Sequence, residues 1–302
     1  MHREACAVGT AGRPDDVIVN FTPTGMIPTK GLTGHLPVSV REIIEDVHEA
    51  AEIGVTMVHL HARDPRTGQP TCRGEIYQEL IEGIRRFAGD LVVCVSLSGR
   101  TLCEFSQRAE PLALTGSAKP DMASLTLSSV NFNRQASINE PEMIKALAGE
   151  LQRRGILPEL EAFDLGMINY AKYLERKGLL EPPHYFNLIL GNVACAQVDL
   201  LHIGVMINDL PPGSLWSLGG IGDAQLTANA VAIASGGGVR VGLEDNIWFD
   251  RGRSRLARNV DLIRRIHLLA GANERAVMKP SRLRSLLRLE PGRGSYGRAL
   301  IT

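Results

Sequence analysis

Eight short apolar runs alternate along the chain with longer stretches in which apolar residues recur every three or four positions. The runs are VIVNF (17–21), VTMVHLH (55–61), LVVCVSL (91–97), MASLTL (122–127), LPELEAF (157–163), YFNLIL (185–190), SLWSLG (214–219) and VRVGLE (239–244). Most are nearly continuous in apolar or small residues, the pattern of parallel strands covered on both faces. The stretches between them predict helices near 39–54, 73–88, 101–114, 140–153, 165–178, 196–209, 223–235 and 253–271. The first is the clearest: Ser39 and Glu42 form an S-x-x-E capping box, Ile43, Ile44, Val47, Ala50 and Ala51 share one stripe, and Gly54 stops the helix.

Eight strands, each followed by a helix, predict a (β/α)8 TIM barrel formed by a single domain over residues 1–302. The competing architecture, an open doubly wound sheet, would place a glycine-rich phosphate turn after the first strand, and NFTPTGMIPTK is not of that form. Residues 1–16 lack the apolar segment of a secretory signal and read as an N-terminal tail. Residues 275–302 read as a peripheral C-terminal helical arm, which either covers the barrel or reaches a neighbouring subunit.

Composition narrows the picture mainly by exclusion. Basic and acidic residues balance at 33 each, so no electrostatic reason exists to expect nucleic acid or an anionic membrane as partner. No apolar run approaches the roughly 20 residues of a membrane span. The five cysteines, Cys6, Cys72, Cys94, Cys103 and Cys195, are scattered and form no C-x-x-C, which suggests reduced thiols in a cytoplasmic protein.

The candidate chemistry begins at the end of the second run. In a strand, residues i and i+2 point to one face, so His59 and His61 project together with Leu60 opposite. Chemistry in such barrels sits at the C-terminal strand ends, where these two imidazoles lie. A divalent metal would explain why they share that space; two ordinary polar histidines are the plainer account. A two-histidine site needs a further ligand, typically a carboxylate, with positions left open for substrate. The last strand ends in Glu244 and Asp245, near the second strand around the ring, and Glu244 is the natural third ligand. Asp245 points away if the strand stays regular, or into the mouth if the chain turns there. Arg240, four residues before Glu244, shares its face. Metal-dependent amidohydrolases also use H-x-H, but on the first strand and with further histidines after strands five and six. Here those strands end EAFD and LILGN.

Glu159 and Glu161 alternate on one face of the fifth strand, either to support the metal histidines or to fill the barrel interior. The loop SLGGIGDAQ after the seventh strand is either a phosphate site for part of a cofactor or a tight turn that needs glycine. His184 and His202 lie away from the C-terminal strand ends and receive no role.

Taken together, TPTG at 22–25, GVTMVHLHARD at 54–64, RAEPLAL at 108–114, KPDMASLTLSSVNF at 119–132, PELEAFDLGM at 158–167, GGIG at 219–222 and VRVGLEDNI at 239–247 resemble the β-keto acid cleavage enzyme family. The blocks span nearly the whole chain in the right order. The resemblance implies a zinc-type barrel enzyme, with Zn2+ or another divalent metal, that condenses a β-keto acid with acetyl-CoA and releases acetoacetate and a new acyl-CoA. It implies His59, His61 and Glu244 as metal ligands, and Asp245 as the acid/base residue assisted by Arg240. It places substrate-binding groups at the ends of strands three and four. In strand three, VSLSGR departs from the family-like STGG, so the role falls on either Ser96 or Ser98. In strand four the candidates are Ser124, the closer match, and Thr126; Asn131 is a further family-like position. It also implies a homo-oligomer, a tetramer.

The first loop bears on the substrate. It offers Met26 and Ile27 and no acid, so a substrate tail that is not cationic is expected. Such a tail is either uncharged, against Met26 and Ile27, or carries a second carboxylate that meets Arg100, Arg63 or Lys30. Arg63 and Asp64 either cap the second strand and turn the chain, or Arg63 reaches that tail. A hydrolase or lyase of the same barrel acting without CoA, and a non-catalytic small-molecule-binding barrel, are the competing functions.

Overall fold

The computed structural model describes residues 15–101, 104–292 and 296. The eight apolar runs become the parallel strands of one closed barrel. They are β1 (Val19–Phe21), β2 (Met57–Leu60), β3 (Val92–Val95), β4 (Met122–Thr126), β5 (Leu157–Ala162), β6 (Tyr185–Leu190), β7 (Leu215–Gly220) and β8 (Gly238–Val241). Each strand pairs with its neighbours in the chain, and β8 closes on β1 with Val19 opposite Val239. The helices are α1 (Val40–Ile53), α2 (Gly74–Arg85), α3 (Phe105–Arg108), α4 (Pro141–Arg154), α5 (Leu165–Arg176), α6 (Leu200–Asn208), α7 (Ala224–Ala234), α8 (Asn259–Ala272) and α9 (Pro280–Leu287). This is the expected (β/α)8 barrel. No helix among the described residues is long and apolar enough to cross a membrane.

Period-two alternation in the strands divides the apolar residues into two cores. Outward-facing residues such as Val19, Phe21, Val58, Leu60, Leu160 and Leu188 pack against the helix stripes, including Ile43 and Val47 of α1. Inward-facing residues near the strand beginnings, Met57, Val92, Met122, Leu157 and Tyr185, form a second cluster with Met278, Leu283 and Leu287. The described part of the C-terminal arm therefore closes the N-terminal end of the barrel. Arg284 anchors it there with both oxygens of Asp121, at 2.9 and 2.8 Å.

Several elements differ from the expected pattern, among them the following three. The helix expected over 101–114 is reduced to α3 and the 3-10 turns Glu110–Ala113 and Gly116–Ala118. Pro111 cannot donate a backbone hydrogen bond there, and Glu110 instead accepts from Gly74 N, at 2.7 Å, at the start of α2. Leu102 and Cys103 lie outside the described residues, as do most of the N-terminal tail and Cys6. The helix expected over 253–271 starts six residues later, because Asp250 gathers the backbone N–H groups of Ser254 and Arg255 into a turn. The eighth strand, expected to reach 244, ends at Val241. That early ending shapes the site.

Candidate active site

His59 is the third residue of β2 and His61 follows its end, so both rings point into the barrel near its C-terminal end, His61 on the wall of the mouth and His59 buried below it. Their Nε2 atoms lie 3.2 Å apart. On its other side, His59 Nδ1 donates to Glu159 Oε2 at 2.6 Å. Glu159 sits on β5, fully buried, and its other oxygen accepts from Asn20 of β1 at 2.6 Å and Asn187 of β6 at 3.1 Å. The Cys94 thiol of β3 donates to Oε2 at 3.3 Å. Four strands therefore hold the one carboxylate that orients His59.

Strand β8 stops because Gly242 passes so close to the Thr22 carbonyl that a side chain there would collide with it. The backbone then turns, with Asp245 N and Asn246 N both donating to Gly242 O at 3.3 and 3.4 Å. This turn settles the orientation of Asp245: it faces inward together with Glu244. Glu244 Oε1 lies 3.1 Å from His61 Nε2 and accepts from Arg240 at 2.6 Å. Arg240 Nε donates to Asp245 Oδ2 at 2.8 Å. Gly25, with φ of +66°, lets the Glu244 side chain lie directly against the first loop, which is why TPTG ends in glycine. Gly219 makes room in the same way for the stem of Arg240, and Gly220 for the first turn of α7, so the first two GGIG glycines have a steric role, while Gly222 takes a φ of +62°.

The electrostatics follow from crowding charges inside low-dielectric walls. Burial opposes the carboxylate of Glu159, yet His59 outweighs it and pulls the pKa down to about 2. Burial likewise opposes the imidazolium of His59, but Glu159 and Glu244 lift its pKa to about 9. For His61, burial dominates and lowers the pKa despite Glu244. Glu244 is held well below the carboxylate range, against its burial, chiefly by Arg240. Asp245 goes the other way: burial raises its pKa, and Arg240 only partly compensates. Glu161 is also raised by burial while Thr126 donates to it at 2.6 Å.

The donor set fits a divalent cation. His59 Nε2 and His61 Nε2 face each other at 3.2 Å, so a positive centre belongs between them: a proton where His59 is charged, or a cation held by two neutral imidazoles. Glu244 Oε2 is buried with no hydrogen-bond partner among the described residues. The ligand atoms of His59, His61 and Glu244 all lie within 4.8 Å of one another, and two imidazoles with a carboxylate suit zinc or a similar ion with positions left open. A second such cluster, His59, Cys94 and Glu159, is wholly buried and lies beneath the cavity rather than on its wall.

The mouth is a cavity of 630 Å³ lined by His61, Thr126, Glu161, Arg240, Glu244 and Asp245 at its base. Both Ser96 and Ser98 line it, as does Ile27, half-exposed, on the first loop. Ser124 lies one layer deeper, where its hydroxyl accepts from Leu97 N at 3.0 Å, so Thr126 and not Ser124 faces the opening. The side chain of Asn131 does not enter. It is exposed on the ribbon Val130–Asn131/Ala136–Ser137, whose alternation turns Val130 and Phe132 inward instead. Arg63 is buried away from the cavity and donates to the Gly25 and Pro28 carbonyls at 2.6 and 3.0 Å, and so anchors the first loop. Asp64 caps the turn that follows. His184 and His202 lie outside the cavity. Sequence reasoning missed Asn20 and Asn187, which steady Glu159. The available signal was a single amide in each of two otherwise apolar strands, where a buried polar group needs a partner.

The chain matches known proteins over most of its length. The family model for beta-keto acid cleavage enzyme matches residues 16–289. The 3-keto-5-aminohexanoate cleavage enzyme of Fusobacterium nucleatum is 33% identical over 279 residues, covering 91% of this chain and 99% of that protein. The 3-oxoadipate:acetyl-CoA acetyltransferase of Cupriavidus necator is 33% identical over 90% of this chain and 94% of its own length. The 3-dehydrocarnitine:acetyl-CoA trimethylamine transferase of Rhizobium meliloti is 30% identical over 91% and 97%. Among solved structures, apo ObcA superposes with a TM-score of 0.72 at 20% identity, covering 84% of this chain and 66% of that one, a likeness of fold.

Proposed function

The chain belongs to the beta-keto acid cleavage enzyme family, and from that premise we propose that it is a metal-dependent acyltransferase that turns a β-keto acid and acetyl-CoA into acetoacetate and a new acyl-CoA. One observation carries the reading: Asp245 is aimed into the cavity by Arg240 at 2.8 Å, beside the His59–His61–Glu244 donor set. Relatives whose names specify acetyl-CoA support the co-substrate.

His59, His61 and Glu244 would hold Zn2+ or another divalent ion, which would polarise the ketone oxygen of a chelated keto acid and acidify its C2 protons. Asp245 takes the C2 proton. Its carboxylate is suited to that task because burial makes it more basic while Arg240 keeps it oriented. The C2 carbanion adds to the thioester carbonyl of acetyl-CoA and expels CoA thiolate. The thiolate then attacks the ketone carbon, the C2–C3 bond breaks, and acyl-CoA departs. Asp245 returns its proton to C2, which completes acetoacetate, so no redox cofactor enters the balance. Ser96, Ser98 and Thr126 line the wall where the carboxylate and keto oxygens of the substrate would lie.

Apolar side chains exposed on α6 and just before it, Val193, Leu200, Leu201 and Val205, support a homo-oligomer such as a tetramer. The free thiols Cys72, Cys94 and Cys195 support a cytoplasmic setting. Purified protein should carry about one divalent ion per chain, and His59→Ala should lose it, as read by elemental analysis. Wild-type metal content in that variant would refute the site. Acetoacetate should form from a keto-acid panel only when acetyl-CoA is added; CoA-independent release of product would favour a hydrolase or lyase instead.

A further inference from the structure

The three cations considered for a substrate tail have separate fates in the fold. Arg63 is spent on the first-loop carbonyls, and Lys30 pairs with Glu42 at 2.7 Å at the start of α1. Arg100 remains. It lines the cavity, and its guanidinium lies 3.4 Å from the centroid of the Phe132 ring. Among the described residues that guanidinium has no hydrogen-bond or ion-pair partner, and burial is the main influence against its charge.

Its backbone is held from several sides. Ser98 Oγ accepts from Arg100 N at 3.4 Å, and Gln135 donates to the Arg100 carbonyl at 3.4 Å. The preceding Gly99 lies so close to Ile138 O and the Arg108 side chain that a Cβ would meet them at 2.5 and 2.6 Å. A stacked guanidinium on a fixed backbone is a planar fork of donors already oriented, which is what bidentate recognition of a carboxylate needs. An ammonium tail would find no comparable partner. Of the acids on the cavity wall, Glu161 meets Thr126, Asp245 meets Arg240, and Glu244 meets His61 and Arg240 through Oε1, its Oε2 being a metal ligand in the proposed site; Arg100 would repel an ammonium.

We propose that Arg100, stacked on Phe132, reads a second carboxylate at the far end of the keto acid, so that the substrate class is dicarboxylic. The assignment rests on the acyltransferase reading of the site. It sharpens that reading, since an uncharged tail and a carboxylate tail are both compatible with a first loop lacking acid.

The test compares 3-oxoadipate with 3-oxohexanoate, which differ in carrying a carboxylate or a methyl group at the far end, each with acetyl-CoA, in the wild-type enzyme, Arg100→Met and Arg100→Lys. The wild type is expected to favour the dicarboxylate in kcat/KM by roughly 10- to 100-fold, the worth of a charge-assisted pair. Arg100→Met should collapse that ratio towards one, mainly through the KM of the dicarboxylate, and Arg100→Lys should keep part of it. Circular dichroism and thermal unfolding confirm that each variant is folded. Turnover of both acids without a preference, or a preference that survives in Arg100→Met, overturns the assignment and leaves the acyltransferase intact. A tenfold rise in the KM for acetyl-CoA with the tail preference unchanged also overturns it, by giving the guanidinium to a CoA phosphate. No turnover of either acid by the wild type overturns the acyltransferase reading, and this assignment falls with it.

Discussion

Glu159 is fully buried, and a charge there is tolerable because His59, Asn20 and Asn187 all meet it. In the proposed site it fixes the ring and tautomer of His59 rather than touching substrate. Replacing it by glutamine keeps the shape but loses the charge that steadies the Nδ1–H. Metal affinity of Glu159→Gln should drop by about 10- to 100-fold, measured by competition with a chromophoric chelator. In the proposed mechanism Asp245 takes the proton instead. Asp245→Asn should lower kcat/KM by roughly 10²- to 10⁴-fold while metal content stays at the wild-type level. Loss of the metal in that variant would show that Asp245 is a ligand and not the base. The alternation of Glu159 and Glu161 on one face was legible in the sequence. Which of them reaches His59 and which lines the mouth was not, because that depends on how far β5 is staggered against β2 across the barrel.

Helix α1 begins where its capping box predicts, with Ser39 Oγ accepting from Glu42 N at 3.2 Å and Glu42 returning a contact to Ser39 N at 2.9 Å. Partial burial works against the Glu42 charge, but Lys30 and the N–H groups of Ser39 and Val38 outweigh it and bring the pKa to about 2. A carboxyl depressed below its unfolded value contributes stability that is present above the unfolded pKa and is lost as pH falls through the folded one. Glu42→Gln should therefore cost about 1 kcal/mol at neutral pH, given its solvent exposure. The gap from wild type in thermal or urea unfolding should close as pH falls from 4.5 towards 2. A gap that persists at the acid end would deny the ionised carboxylate its part. By contrast, the helix expected over 101–114 shows the limit of periodicity. Arg108 fits the helical spacing, yet it is drawn inward to the Leu97 carbonyl at 2.8 Å and Asn139 at 2.7 Å. A tertiary bond of that kind leaves no trace in a pattern of apolar positions.

The barrel as a whole keeps chemistry and support at opposite ends. The mouth gathers the ionisable groups His61, Arg240, Glu244 and Asp245, whereas the base is closed by the apolar face of α9 and the Arg284–Asp121 pair. Arg284 also donates to the Asp90 and Leu91 carbonyls at 2.6 and 2.8 Å. Arg284→Met would leave the Asp121 carboxylate buried with less compensation, and should destabilise the fold by about 3 kcal/mol, read from urea unfolding. Metal content per folded molecule should not change, because the site lies at the other end of the strands. Coupled loss of metal at equal folded fraction would contradict that separation.

The sequence by itself determined the strand count, the parallel barrel and the pairing of H-x-H on the second strand with an acidic pair after the eighth. These are local facts: period-two alternation, helical stripes and capping residues act within a few positions. Only the tertiary structure decided where the eighth strand stops, that Asp245 turns inward, that Asn131 turns out, and that of three candidate cations Arg63 and Lys30 are already paired while the Arg100 guanidinium, among the described residues, is not. Each of those outcomes depends on what another strand or loop brings into contact, such as Thr22 against Gly242 or the first-loop carbonyls against Arg63. A residue's partners are set by the closing of the ring, and no spacing along one chain segment encodes them.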